Sequence, residues 1–257
     1  DEEEDRALGD RRGDELPAEL ADRRKRLEAI RRAKAELEEE ARQQAQQDET
    51  KRPAGRRGKK APPQPKAKAQ RNFTDPDSRI MRGADQTYIQ GYNAQVAVDV
   101  QSQIVVAGDL TNHAADVGHL LPLIDQVEAN TGRLPKQVLA DAGYYSERNR
   151  EALEQRGIEA FIPPYKVKHS LWRGAPYPKG RIPGTLSPRD RMWRKILSKP
   201  GRETYKLRHM SVEPVISQIK WARNLTQLTV RGLAKARSLW RFECAVHNLL
   251  KIFRAGY

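Results

Sequence analysis

Residues 137–162 read QVLADAGYYSERNREALEQRGIEAFI, and the changes of character along this stretch decide the fold class. Gln137–Ala140 is a short apolar run of the kind that forms a buried strand. It ends directly on Asp141, and Gly143 lets the backbone turn away. Ser146 suits the N-cap of a helix that Gly157 ends. Ile158–Ile162 is a second strand, closed by Pro163 and Pro164. Strand, helix and strand joined by short connections imply a parallel pair with a right-handed crossover.

The flanking sequence extends this unit in both directions. Upstream, Tyr92–Asp99 reads as a strand with Ala94, Val96 and Val98 on one face, Gln101–Gln103 as a tight turn, and Ile104–Leu110 as the returning strand. A helix is expected from about Ala115 to Asn130, carrying Leu120, Leu121, Leu123, Ile124 and Val127. Downstream, a Pro/Gly-rich loop over residues 165–188 leads to two long helical patterns. The last, Gly232–Arg254, is expected to turn Leu233, Leu239, Phe242, Val246, Leu249 and Phe253 towards the core. Trp193, Trp221 and Trp240 are expected to anchor these helices. The order of elements is that of an α/β, ribonuclease H-like mixed sheet flanked by helices, with its first strand missing.

Three regions follow from composition. Residues 1–50 hold 17 acidic and 11 basic side chains. They are expected to form an acidic start and a charged amphipathic helix from Asp14, with Pro17 in its first turn and Leu16, Leu20, Leu27, Ile30 and Leu37 on a narrow stripe. Residues 51–71, KRPAGRRGKKAPPQPKAKAQR, cannot form a core and are expected to be a disordered basic linker, either a loose clamp on DNA or a solubilising spacer. Residues 72–257 are the globular core.

The net charge is +14, and residues 189–257 carry 16 basic side chains against 4 acidic ones. So localised a surplus suits a polyanionic partner. Cys244 is the one cysteine, which excludes a disulfide framework and a thiolate metal site. The apolar runs are too short to span a bilayer, which points to a cytoplasmic setting without a membrane.

Phosphodiester chemistry needs divalent ions held by carboxylates at strand ends and on a neighbouring helix. Asp141, at the carboxyl end of a strand, meets the first requirement; the same position also suits an Asp that merely organises a turn. Glu213 meets the second, in a helix that Ser211 is expected to cap with Pro214 in its first turn. Glu213 and Lys220, seven residues apart, are expected on one face. A capping-region Glu favoured by the helix dipole would look the same.

Asp141-Ala-Gly-Tyr-Tyr-Ser, then Tyr205-x2-Arg208, Glu213 and, after six residues, Lys220 resemble the second and third acidic motifs of bacterial insertion-sequence transposases of the DDE class. Four residues separate Arg208 from Glu213, one more than the commonest form. Asn72-Phe-Thr-Asp-Pro-Asp-Ser-Arg79, Gly91-Tyr-Asn-Ala-Gln-Val-Ala-Val-Asp99 and Arg231-Gly-Leu with Asn248-Leu-Leu also resemble that family. The resemblance covers roughly residues 72–257. It implies Asp141 and Glu213 as catalytic, metal-binding carboxylates for Mg²⁺ or Mn²⁺, and Tyr205, Arg208, Lys220 and Arg231 as DNA contacts. It also implies double-stranded DNA as partner, a homo-oligomer in the active complex, and a nucleoid-associated protein catalysing hydrolysis and strand transfer at transposon ends. The family's first Asp is expected upstream of Asp1, ahead of a helical insertion that residues 14–45 resemble; the fragment alone is then expected to be inactive. Asp75, Asp77 and Asp99 are the fallback candidates. The alternative is a catalytically incomplete DNA-binding remnant.

Overall fold

A computed structural model of the chain describes residues 20, 22–50, 63–67, 69–83, 87–166 and 176–256. The chain divides into two units, Asp1–Ser78 and Arg79–Tyr257.

In the first unit, α1 spans Arg23–Thr50. It begins where Asp22 caps it: the Asp22 carboxylate accepts from the backbone N–H groups of Arg24 at 2.8 Å and Lys25 at 3.0 Å. Leu16 and Pro17 of the expected start lie outside the described residues, as do residues 51–62 of the basic tract. Leu27 and Ile30 are exposed, as a narrow stripe requires. Arg71 closes the basic tract but is held, donating from Nε to Glu36 at 2.9 Å and from Nη1 to Glu40 at 2.8 Å. Two carboxylates spaced one helical turn apart make a fork for one guanidinium.

The second unit starts with β1 (Arg79–Arg82) and β2 (Tyr88–Gly91), an antiparallel pair that sequence reading missed. Next come β3 (Asn93–Val98) and β4 (Val105–Thr111), also antiparallel and joined by the expected turn. The Asp99 carboxylate accepts from the Ser102 N–H at 2.8 Å and its hydroxyl at 2.6 Å, and Gln103 takes a positive φ of 57°. These bonds hold the Asp99 carboxyl below the usual carboxylate range. After a 3₁₀ turn at Asp116–Gly118 comes α2 (Leu120–Thr131), ended by Gly132 in the left-handed region. Then β5 (Gln137–Leu139), α3 (Glu147–Gln155) and β6 (Glu159–Phe161) form the parallel pair and its crossover, with Ser146 accepting from the Asn149 N–H at 3.1 Å. Among the described residues three helices follow: α4 (Pro188–Leu197), α5 (Lys199–Ser217) and α6 (Leu233–Arg254). A π turn at Gln218–Ala222 extends α5.

Among the described residues the strands form three separate two-stranded pairs rather than one continuous mixed sheet. With three residues each, β5 and β6 offer a short ladder, and side-chain packing joins the layers instead. One face of the β3–β4 pair packs against α5 and α6 through Val105, Leu110, Val215, Ile219, Ala236, Trp240 and Cys244, with Ala94, Val96 and Val98 added from β3. Its other face meets α2 through Ala107, Leu123 and Val127. The β5–β6 pair is likewise covered on two sides. Leu120, Ile124 and Leu153 pack on Ala140, Ala160 and Ile162, while Ile196 and Tyr205 pack on Phe161. Cys244 is the core residue expected of it, and burial pushes its thiol up to about 12.

Two helical readings need correction. In α6 the buried residues are Ala236, Trp240, Cys244 and His247, whereas Phe242, Leu249 and Phe253, expected in the core, are exposed. Helical spacing is the same for either stripe, and the partner surface sets the phase. His247 lies in the core stripe because its Nε2 is 3.0 Å from the Gln103 carbonyl oxygen, and neighbouring Asn248 exchanges two 2.8 Å bonds with the Val105 backbone. Of the tryptophans, Trp240 is a buried anchor, donating to the Gln95 carbonyl at 3.3 Å, but Trp221 is 74% exposed.

Ser211 does not start a helix: α5 is already capped by Ser198, which accepts from the Gly201 N–H at 3.1 Å. Ser211 lies mid-helix and donates back to the Leu207 carbonyl at 2.8 Å. Pro214 is therefore internal, and its missing N–H would leave the Met210 carbonyl short of a donor. The Gln103 side-chain amide supplies one at 2.8 Å, so the hairpin turn accommodates the proline.

Gly201 sits where α4 hands over to α5, and a Cβ there would come within 2.0 Å of the Lys195 carbonyl oxygen. Backbone on both sides leaves no flexible atom to yield. Gly201→Ala should therefore destabilise the protein by about 1–3 kcal/mol, read as a lowered urea midpoint with unchanged slope.

Candidate active site

The carboxyl end of β5 gathers the chemistry-bearing side chains. Asp141 follows the strand in extended conformation and precedes a 3₁₀ turn at Ala142–Tyr144, its carbonyl accepting from the Tyr144 N–H at 3.0 Å. Its carboxylate does not cap that turn and is free to face α5. Tyr205 and Arg208 lie three residues apart on α5, hence on one face. The Tyr205 hydroxyl donates to the Ala140 carbonyl at 3.3 Å, and Arg208 Nη1 donates to Asp141 Oδ2 at 3.0 Å. Tyr205 is buried, which pushes its hydroxyl up to about 12 and keeps it a donor at neutral pH.

Glu213 joins them from farther along α5. Its Oε1 lies 3.7 Å from Arg208 Nη2 and 2.6 Å from His209 Nδ1. One guanidinium thus faces both expected carboxylates. The two carboxylates are each more than half exposed, whereas the Arg208 side chain is 13% exposed. Arg208 Nε is buried with no hydrogen-bond partner among the described residues.

Among the described residues no hydrogen bond or ion pair joins Lys220, Arg231 or Asp99 to this group. Lys220 is exposed in the π turn, and no ion pair joins it to Asp141 or Glu213 among the described residues. The π turn's wider i→i+5 bonding breaks the 3.6-residue phase on which the one-face argument relied. Arg231 is exposed in the loop before α6. Asp99 serves its hairpin turn. The Asp75 carbonyl accepts from the Ser78 N–H and hydroxyl, and Asp75 and Asp77 belong to the first unit. Among the described residues no cluster of three His, Cys, Asp or Glu side chains forms a metal-holding group.

Sequence reading missed a polar chain behind Asp141. Asp116 Oδ1 accepts from Asn93 Nδ2 at 2.7 Å and Gln95 Nε2 at 2.9 Å. The Tyr144 hydroxyl donates to Gln95 Oε1, and Asn149 Nδ2 donates to the carbonyls of Val117 at 2.7 Å and Tyr144 at 2.8 Å. Burial first, then the charges of Asp116 and Asp141, push the Tyr144 hydroxyl upward. Gly143 is needed here less for turning than for clearance, since a Cβ would meet Asp116 Oδ2 at 2.9 Å. Polar residues on a strand, such as Asn93 and Gln95, were the available signal.

The family model described as Transposase DDE domain matches residues 60–249. The chain belongs to the DDE transposase family. Over 65 residues it is 45% identical to the putative transposase for insertion sequence element IS402 of Burkholderia cepacia, a match that covers 23% of this chain and 31% of that protein. The chain thus spans about a third of the length of that curated relative. No solved structure matches it. Mixed α/β architecture accords with a transposase domain, and among the described residues no helix is long and apolar enough to cross a membrane.

Tyr205 joins α5 to the backbone one residue before Asp141. Removing its hydroxyl strands a buried carbonyl. Tyr205→Phe should cost about 1–3 kcal/mol in chemical denaturation.

Proposed function

We propose that this chain acts in DNA transposition, through metal-dependent phosphodiester hydrolysis and strand transfer at transposon ends. The observation that carries the reading is the convergence of Asp141 and Glu213, from separate elements, on one cationic group. Two hard carboxylates open to solvent fit Mg²⁺ or Mn²⁺, which take one or two carboxylates and keep several waters. Such ions, when bound, activate the attacking oxygen and stabilise the leaving one. Asp141 and Glu213 are the residues that would hold them.

The chain's own residues account for the remaining tasks. Tyr205 fixes the height of the Asp141 backbone, and the Asp116–Gln95–Tyr144 chain holds the turn behind it. Arg208 supplies a planar fork suited to phosphate oxygens. Lys220 and Arg231, both exposed and cationic, would contact the DNA backbone. A ribonuclease H-like sheet, assembled in a homo-oligomeric complex on double-stranded DNA at the bacterial nucleoid, is the arrangement this reading implies. A catalytically incomplete DNA-binding remnant is the second reading, favoured by the lack of a third acidic partner among the described residues.

Cleavage by this chain of a duplex bearing the element's end sequence separates the two. Asp141→Asn and Glu213→Gln should each reduce Mg²⁺-dependent cleavage by about a hundredfold or more, with DNA affinity in the absence of divalent ions kept within about threefold. Unaltered cleavage would remove both residues from the site; cleavage absent throughout would favour the remnant.

The basic surplus in residues 189–257 yields a separate expectation. DNA affinity should fall linearly in a plot of log K against log salt, with the slope reduced by about 1 for each phosphate-contacting Lys or Arg removed. Affinity measured by fluorescence anisotropy that ignored salt would contradict it.

A further inference from the structure

We propose that Arg208 is a built-in competitor for the cation site. In the free chain its guanidinium fills the gap between Asp141 and Glu213, and occupation of those carboxylates by a divalent ion releases it to the DNA backbone. Ion binding and DNA binding are thereby coupled. This inference rests on the reading of Asp141 and Glu213 as the ion-holding pair.

Arg208 is less completely satisfied than the structural arginines of this chain. Arg71, a structural arginine, donates from Nε and Nη1 to two carboxylates at 2.9 and 2.8 Å. Arg150 reaches three carboxylates, at 2.6, 2.9 and 3.1 Å. Arg208 has one good carboxylate contact at 3.0 Å and a loose one at 3.7 Å, shares a side-chain hydrogen bond with Tyr205, and its Nε is buried with no partner among the described residues. Its guanidinium carbon stands 5.6 Å from the centre of the Tyr205 ring, a contact that tolerates sliding. The head group is therefore held by charge more than by geometry.

Charge cannot be relieved by titration, because a guanidinium stays protonated in proteins. It can be relieved by substitution. A divalent ion needs carboxylate oxygens at about 2.0–2.1 Å; Arg208 Nη1 occupies that of Asp141 Oδ2 at 3.0 Å and stands 3.7 Å from Glu213 Oε1, which also faces His209 Nδ1 at 2.6 Å. Two cations on one pair of carboxylates repel, so the incoming ion and Arg208 exclude each other. A displaced guanidinium at this edge has its planar fork free for a phosphate, which satisfies it bidentately. Linkage then requires that the ion strengthen DNA binding by the same factor that DNA strengthens ion binding.

The probe is Mn²⁺ alone, titrated calorimetrically into the whole chain and its Arg208→Gln, Arg208→Lys, Asp141→Asn and Glu213→Gln variants. Arg208→Gln should bind Mn²⁺ about tenfold more tightly than the parent, equivalent to about 1.4 kcal/mol. Arg208→Lys, which keeps the charge but cannot face both carboxylates, should fall between. In a second arm, fluorescence anisotropy of a labelled duplex at fixed ionic strength should show Mn²⁺ tightening DNA binding, and the gain should shrink about tenfold in Arg208→Gln. Unchanged or weaker Mn²⁺ binding by Arg208→Gln, with Asp141→Asn still impaired, would overturn the competition while leaving the ion site standing. Mn²⁺ binding indifferent to both Asp141→Asn and Glu213→Gln would remove the ion site, and the competition with it.

Discussion

Two carboxylates of like charge stand at the meeting of β5 and α5 with one guanidinium between them. Arg208 neutralises the repulsion of Asp141 and Glu213, and Tyr205 adds a neutral bond one turn earlier on the same helix face. A half-exposed ion pair contributes on the order of 1 kcal/mol at most, so its role is placement more than stability. Stability comes from the apolar layers on both sides of the strand pairs. The site thus borrows its rigidity from packing and spends little on its own cohesion.

The hairpin turn after β3 has a similar organising role at the other end of α5. Gln103 bonds the Met210 carbonyl through its amide nitrogen, accepts from Lys251 Nζ at 2.6 Å through its amide oxygen, and faces His247 with its backbone carbonyl. One residue in the left-handed region therefore ties α5 and α6 to the same turn. The Met210 carbonyl is the one Pro214 cannot serve, so with Gln103 supplying the donor α5 runs unbroken from Arg208 through Glu213 and past the proline. A helix begun at Ser211 would have left Arg208 and Glu213 on different elements.

The comparison with sequence reading is instructive where it failed. Both the Ser211 cap and the Pro214 first turn obey sound local rules, yet a distant amide overrode them. In α6 two stripes share one period, and the exposed one is the more hydrophobic. Buried His247 and Cys244 look unpromising until the Gln103 carbonyl and the close approach at Gly108, where a Cβ would meet Cys244 Sγ at 3.2 Å, are in view. The exposed Phe242, Leu249 and Phe253 leave a second apolar stripe on that helix.

By itself the sequence determined what rests on local chemistry: the antiparallel hairpin, the parallel strand–helix–strand unit, the Ser146 cap and the position of Asp141 at a strand end. It also carried the family, because Asp141, Tyr205, Arg208 and Glu213 form a pattern readable without coordinates. Only tertiary structure decided how these residues meet. The phase of α6, the continuity of α5 through Pro214 and the polar chain from Asp116 to Tyr144 depend on partners between 20 and 150 residues away in sequence, such as Asn93 with Asp116 and Gln103 with Met210. Periodicity and capping rules see one turn at a time. The pairing of Asp141 and Glu213 across one guanidinium is a long-range electrostatic arrangement, and it exists only once the layers have packed.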